Sequence, residues 1–346
     1  MQFLALDKQF APVGYLAPLN VQWTREYYTI GQFSLLVAAD GYTPDMAYLY
    51  RTDRVETGII QKVQLTESIK GRFVQLSGYF LEAILNDKAV WPTYYASGSL
   101  PAAVAEMLRR YKGDIPLLEV ANPPAALSAD AWQETGGGLA AVAYIRLQTV
   151  EMSLRCRYDY LAGRIIAEVW QGLDRTQDQT ENPFVMFSDT WRNLAQADLT
   201  LDQSNWKNYA IVAGEGEGSA RKVAYADLSK GGYRRILFID ARSERWDPDK
   251  QSEAQYLESL RQKGLDTLLD YQPIRNLEID ATQTGFTYLA DWDLGDKVDV
   301  AMPDAGLVMQ GRIVTVREVM KNNTFSVNIT LGDKKLTQLK KARMIY

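Results

Sequence analysis

Apolar and polar positions alternate with a period of two in short runs near both ends of the chain, and with a helical period in its middle. From the start to about Phe80, the runs Asn20–Tyr28, Gly31–Ala38, Arg54–Leu65 and Gly71–Tyr79 are rich in β-branched and aromatic residues. The turn signals Asp40-Gly41 and Ile69-Lys70-Gly71 separate them. In Gln32-Phe33-Ser34-Leu35-Leu36-Val37 and Val55-Glu56-Thr57-Gly58-Ile59-Ile60 the alternation is partial, as in antiparallel strands with one buried face. This first block reads as a small barrel or sandwich.

The period changes at Leu81. Ser99 stands where a helix cap is needed, Pro101 falls in the first turn, and Leu100, Val104, Met107, Leu108 and Tyr111 recur at helical spacing before Gly113. A proline- and glycine-rich stretch from Asn122-Pro123-Pro124 to Gly136-Gly137-Gly138 leads to a second helical stretch ending near Met152. Ser153–Asp159 and Arg164–Trp170 then form a hairpin pattern around Tyr160-Leu161-Ala162-Gly163. Residues 81–190 therefore read as an α+β insertion.

The β pattern returns in Tyr209–Ala213, Ala220–Leu228 and Tyr233–Ala241. The strongest amphipathic helix of the chain follows, from Asp249 to Leu269, with Leu257, Leu260, Gly264, Leu265 and Leu268 on one side. After Pro273, Leu277–Ala281, Lys297–Ala301, Gly311–Met320 and Thr324–Leu331 predict a second small barrel. The expected fold is mainly β with an α+β insertion: two small β-barrel modules of tube type plus a helical, mixed insert. The expected division is 1–80, completed by 191–245, then 81–190, then 246–346. No short-period repeat or low-complexity linker interrupts it.

With 346 residues, 47% hydrophobic and 23% charged, the chain has material for two or three packed domains. The net charge of -5 is unevenly spread: residues 334–346 hold Lys334, Lys335, Lys340, Lys341 and Arg343 and no acid, which leaves an acidic body. A broad basic face for nucleic acid is not expected. The single cysteine, Cys156, and the absence of histidine exclude a disulfide framework, the usual zinc ligand sets and histidine-based triads. The N-terminal run Met1-Gln-Phe-Leu-Ala-Leu-Asp7 lacks the pattern of a signal peptide, and no stretch of about 18 apolar residues predicts a membrane span.

Few residue groups point to chemistry. Gly214-Glu215-Gly216-Glu217-Gly218 follows a strand as phosphate loops do, but it places two glutamates inside the turn and precedes a strand, so a tight structural loop is the expected role. Asp291-Trp-Asp293-Leu-Gly-Asp296 lacks the ligand alternation of a calcium loop. Paired carboxylates such as Asp291 and Asp293, or Glu215 and Glu217, read as solvated loop acids, and Cys156 between Arg155 and Arg157 as a buried structural thiol. The 20 tyrosines and 8 tryptophans are scattered, as core and contact residues are. No catalytic residue, cofactor or metal ligand is expected.

Several segments in order carry a resemblance. Arg54-Val-Glu56-Thr-Gly58 closes the first block, Gly172-Leu-Asp174-Arg175-Thr176 follows the hairpin, and Phe187-Ser188 leads to Asn193-Leu194. Then come Asn208-Tyr-Ala210, Gly214-Glu-Gly216-Glu-Gly218-Ser-Ala-Arg221, Asp240-Ala-Arg242 and Asp293-Leu-Gly295-Asp296-Lys-Val298. Over about residues 20–332 this set resembles siphovirus-type tail proteins related to the baseplate hubs of long-tailed phages, the hub cylinder of T-even phages and the ring-forming part of type VI secretion spikes. The resemblance implies a virion structural protein of the tail tip, assembled in the host cytoplasm. It implies a homotrimer whose barrels form a six-fold-like ring, with the distal tail protein, tape-measure protein, tail tube and tip or fibre proteins as partners. DNA would pass through the ring without specific binding. Some relatives carry a C-terminal peptidase or lysozyme-like domain; with this sequence running to Tyr346, any cell-wall cleavage is expected to come from another subunit. Two other classes stay open at this point: a cell-wall glycosidase using carboxylates such as Glu56 and Glu151, and a host-glycan-binding tail module.

Overall fold

The computed structural model describes residues 2–69, 71–125, 132–282, 284–303, 307–322 and 324–332. The basic stretch 334–346 lies outside the described residues. The first block contains β1 (Phe3–Leu6), β2 (Pro12–Leu16), β3 (Asn20–Glu26), β4 (Gln32–Ala38), β5 (Tyr48–Tyr50), β6 (Gly58–Ile59), β7 (Lys62–Ser68) and β8 (Gly71–Tyr79). The period-two pattern does what it predicts: Val21 and Trp23, Phe33, Leu35 and Val37, and Val74 and Leu76 are buried on one face and pack with Phe3 and Phe80. Each such side chain contributes about 1.5–3 kcal/mol when fully buried.

The insertion opens on a 3-10 turn, Leu81–Asp87, and continues with β9 (Tyr94–Ala96), α1 (Leu100–Tyr111), β10 (Leu118–Val120), β11 (Trp132–Glu134), α2 (Leu139–Gln148), β12 (Ser153–Asp159) and β13 (Arg164–Trp170). Ser99 takes the N-cap position of α1 without a side-chain capping bond, and Pro101 lies in its first turn. The hairpin β12–β13 pairs in unbroken register from Ser153↔Trp170 to Asp159↔Arg164, and Asp159 closes its turn by accepting from Ala162 N at 3.0 Å. Both helices pack on this hairpin around Val104, Leu108, Leu139, Leu147, Leu154 and Ala167.

Residues beyond the hairpin supply β14 (Met186–Ser188), β15 (Leu194–Asp202), β16 (Tyr209–Ala213), β17 (Val223–Asp227), β18 (Ile236–Asp240), α3 (Glu253–Leu269), β19 (Ile274–Ala281), β20 (Lys297–Met302), β21 (Leu307–Lys321) and β22 (Thr324–Gly332). Helix α3 starts later than the sequence pattern predicts. The reason is a capping box: Ser252 Oγ accepts from Gln255 N while the Gln255 side chain accepts from Ser252 N. Strands β17–β16–β18 form a separate sheet under α3, whose Gly264 lies against Val212 and Ala226.

The mainly β class and the mixed insert are as expected, but the sheets are not closed barrels. One ten-stranded sheet runs β15-β19-β22-β21-β3-β4-β8-β7, with β20 and β14 attached beside β21. The two β blocks are joined inside it, because β21 pairs with β3 from Thr315↔Glu26 to Lys321↔Asn20. Closure would need the end strands to bond to each other. Among the described residues β7 instead pairs only with β8, and β15 only with β19. The stretch 191–245, read above as completing the first block, supplies β15 to the far edge of this sheet and then leaves it.

Glu82 ties the opening turn of the insertion to its hairpin. Its buried carboxylate accepts from Cys156 N at 2.7 Å, and burial, opposed by that bond, lifts its pKa to about 7. Burial also pushes the Cys156 thiol well above its ordinary value, in keeping with a structural role. The folded pKa of Glu82 lies above the unfolded one, so its contribution to stability is fully present below about 4.5 and lost as pH rises through about 7. Urea unfolding is therefore expected to show stability falling by at most about 3 kcal/mol from this group over that interval. Glu82→Gln should remove this component of the slope; an unchanged slope in the variant contradicts the assignment.

Candidate functional site

The ten-stranded sheet has two chemically different sides, fixed by strand register. On one side, cross-strand rows read Asp198, Glu278, Thr330, Thr315, Glu26 and, next to it, Gln196, Asp280, Asn328, Arg317, Thr24, Gln32, Tyr79. The same side continues through Ser34 and Ser77 to Lys62 on β7. Hydrogen bonds knit the rows together: Thr315 Oγ1 donates to Glu26 at 2.8 Å, Asn328 to Asp280, and Gln75 to Ser34. The rows by β15 and β19 line a trough whose carboxylates are Asp198, Glu278 and Asp280 and whose one cation is Arg317. The face is thus polar across eight strands drawn from both halves of the chain, and acidic at the β15 end.

The other side of the sheet is apolar except for one buried ionic cluster. Arg25 alternates with Val21 and Trp23 and so points into the core, where its Nε donates to Glu56 Oε1 at 2.7 Å and its Nη1 to Tyr288 Oη at 2.8 Å and to Asp293. Glu318, with no exposed side-chain surface, accepts from Arg51 at 3.0 Å, from Arg54 at 2.5 Å and from Tyr288 Oη at 2.9 Å. The Arg51 guanidinium also lies over the rings of Phe3 and Trp23, at 5.2 and 5.1 Å. Burial, opposed by Arg25, drives the Tyr288 phenol far up, so it stays a donor to Glu318. These groups bolt the loop 51–56 of the first block to β21 and the 288–293 loop of the last.

The motif residues gather at joints. Glu56 belongs to the ionic cluster, and Gly58 continues the same strand edge, bridging to Phe80. The Gly172–Thr176 and Asp293–Val298 segments, more than a hundred residues apart, meet face to face. Leu173 N donates to Asp296 Oδ1 at 2.8 Å, Arg175 Nε to Asp296 Oδ2 at 2.8 Å, and Arg175 N to Lys297 O at 2.8 Å. A Cβ on Gly172 would fall 2.0 Å from the Gly295 carbonyl, and Gly295 itself has a φ of +85° against the Tyr27 ring. Asp174 closes its own turn by accepting from Thr176 N at 3.0 Å. Asn193 accepts from Ser188 N at 2.7 Å and donates to Met186 O at 2.8 Å, which holds β14 against the start of β15.

The glycine-rich loop and its neighbours form a second joint, around the three-stranded sheet. Gly214 lies against Tyr256 and Leu260 of α3, and Glu215 N donates to Tyr256 Oη at 2.9 Å. Gly216 and Gly218 have positive φ, and Arg221 folds back to donate to Gly214 O and Ala213 O at 3.0 and 2.7 Å and to Asp240. Arg242 lies near the same Asp240 carboxylate at 3.5 Å. Asn208 caps the opposite end, donating to Tyr233 O at 3.0 Å and accepting from Arg235 N at 2.7 Å. Within the loop the Glu215 carboxylate accepts from Trp246 N at 2.7 Å, while Glu217 is exposed.

The carboxylates weighed as acid–base candidates are likewise occupied. Glu56 is buried on Arg25, Glu151 pairs with Arg312 at 2.6 Å, and Asp293 is held by Arg25 and by Leu294 N. Sequence reasoning missed Arg25, Arg51, Tyr288 and Glu318. Two of them carried a signal: Arg25 and Glu318 occupy the inward parity of apolar strands, Val21-Trp23-Arg25 and Val316-Glu318-Met320, where an unpaired charge is not stable. Among the described residues no helix is long and apolar enough to cross a membrane.

Comparison with known proteins agrees with this architecture. The family model for siphovirus ReqiPepy6 Gp37-like protein matches residues 17–333. No curated protein matches the chain. Among solved structures, the tail protein of Neisseria meningitidis MC58 superposes with a TM-score of 0.58 at 15% identity over 98% of each chain. The 43 kDa tail protein of prophage MuSo2 from Shewanella oneidensis gives 0.58 at 14% identity, over 96% of this chain and 98% of that one. Prophage tail protein gp18 of Listeria monocytogenes EGD-e gives 0.57 at 12%, over 100% and 98%. At these identities the likeness is one of fold.

Proposed function

The chain belongs to the siphovirus ReqiPepy6 Gp37-like family of phage tail proteins, and from that premise we propose that it is a hub of the tail tip. Three copies close a ring that joins the tail tube to the distal tip and leaves a bore for DNA. The role is mechanical, without a reaction of its own, and the partners are the distal tail protein, the tape-measure protein, the tail tube and the tip or fibre proteins.

The observation that carries this reading is the polar side of the ten-stranded sheet. A surface that DNA must slide past needs hydrogen-bonding groups that hold water and fixed charge of the same sign as phosphate. Glu26, Asp198, Glu278 and Asp280 meet both needs, against Arg317 and Lys62. The edges support it too. Strands β7 and β15 end the same sheet, so main-chain pairing of β7 in one copy with β15 in the next prolongs it with the polar side kept on one surface. Val63 and Leu65 on β7 share the side of Leu76 and Val74 yet remain 42% and 64% exposed, as residues awaiting a neighbour do.

Charge reversal tests the reading. Particles carrying Asp198→Lys and Glu278→Lys are expected to assemble normally and to eject DNA several-fold more slowly, most clearly at low ionic strength. Unaltered ejection kinetics would count against the bore assignment.

A further inference from the structure

The three-stranded sheet β17–β16–β18 carries apolar residues on both sides, and helix α3 covers only one of them. Helix α3 fills the side of Ala210, Val212, Ala224 and Ala226. On the other side Ile211 stands opposite Tyr225 and Phe238, and Tyr209 opposite Ile236, with Asp227 and Asp240 at the two ends of that face. Tyr225, Ile236 and Phe238 are 56%, 50% and 60% exposed. An outer sheet face meant for water carries polar residues at such positions; a contiguous apolar stripe marks a contact surface.

Two further observations name what covers it. The first is backbone: among the described residues β18 pairs only with β16, so its second edge presents unpaired N–H and C=O groups beside the stripe. Lipid cannot satisfy those groups, whereas an extended polypeptide satisfies them by adding a strand. The second is charge. Residues 203–245 hold eight bases against five acids in a chain whose net charge is -5. Lys230, Arg234 and Arg235 are exposed at the end of the sheet tied together by Asn208, with Lys207 beside them and Asp227 answering Arg234 at 2.7 Å. Two copies meeting through this same face would bring those bases together. Charge therefore opposes self-pairing and selects an acidic occupant.

We infer that the outer face of this sheet and the free edge of β18 form a docking site for an extended, acidic polypeptide segment of a partner protein. The segment pairs with Ile236–Asp240 through its backbone, covers Tyr225 and Phe238 with its apolar side chains, and sets its carboxylates on Arg235 and Lys230. The inference rests on this face alone and holds whether or not the ring described above forms.

The test uses the full chain and two fluorescent strand peptides of alternating valine and threonine, one headed by glutamates and the other by lysines, read by anisotropy. The glutamate-headed peptide is expected to bind, more weakly as salt rises, and the lysine-headed one not to bind. Phe238→Thr should weaken binding about tenfold, and so should Arg235→Glu, which lies on the surface and leaves the fold intact. Equal binding of both peptides, or binding untouched by either substitution, would overturn the inference. So would a preference for anionic phosphatidylglycerol vesicles, or a self-associated mass that drops in the Phe238→Thr chain.

Discussion

Replacing Glu318 by alanine is expected to cost about 3–5 kcal/mol of stability, because it leaves buried cations without their partner. Glu318 receives Arg51, Arg54 and the Tyr288 hydroxyl, and neither it nor Arg51 has exposed side-chain surface. With the carboxylate gone, Arg51 keeps among the described residues only Asp53, at 2.9 Å, and its guanidinium lies over the rings of Phe3 and Trp23. The same change at the exposed pair Arg72–Glu67 should cost no more than about 1 kcal/mol, since both of its members already sit in water. Chemical denaturation of the two alanine variants, Glu318→Ala and Glu67→Ala, gives the comparison directly. Equal effects would mean that the cluster does not bolt the two β blocks together.

Gly172→Ala is expected to destabilise by roughly 4 kcal/mol. The new methyl would lie 2.0 Å from the carbonyl of Gly295, and that obstacle is backbone, which cannot rotate aside. The two segments would have to part, stretching the bonds from Leu173 N and Arg175 to Asp296. Overpacking costs about 1–3 kcal/mol, and charge-assisted hydrogen bonds about 1.5–3 kcal/mol each when lost. Gly41→Ala makes a useful control, because a Cβ there meets nothing within 4 Å. Thermal melting of both variants checks the prediction; a Gly172→Ala chain that melts with the wild type would show that the two motifs do not need their close approach.

Much of the fold was legible in the sequence because its elements are locally amphipathic. The hairpin Ser153–Trp170, helix α1 and the four strands after Pro273 announce themselves by period and turn chemistry. The strand Leu194–Asp202 did not. Its inward residues Ala197 and Leu199 alternate with Gln196, Asp198 and Thr200, and this acid-rich pattern reads as loop until the strand is seen to line a polar surface. The short strands β1, β2 and β5 were missed for lack of length. Two barrels were expected because both β blocks carry strand patterns, yet pattern does not say which strands pair. The pairing of β3 with β21, almost three hundred residues apart, merges the blocks into one open sheet. The motif set was visible as an ordered list, but not the contacts that explain it: Asp296 reaching Leu173 and Arg175, or Arg221 folding back on its own loop.

The claim on which the functional account turns is that the polar side of the long sheet faces a bore closed by three copies. A cryo-electron microscopy reconstruction of the assembled tail tip measures this most directly. The account predicts three copies in a ring, β7 of each beside β15 of the next, and Asp198, Glu278 and Asp280 turned to the lumen. A ring in which these carboxylates face outward, or an assembly of paired copies with no central passage, would contradict it.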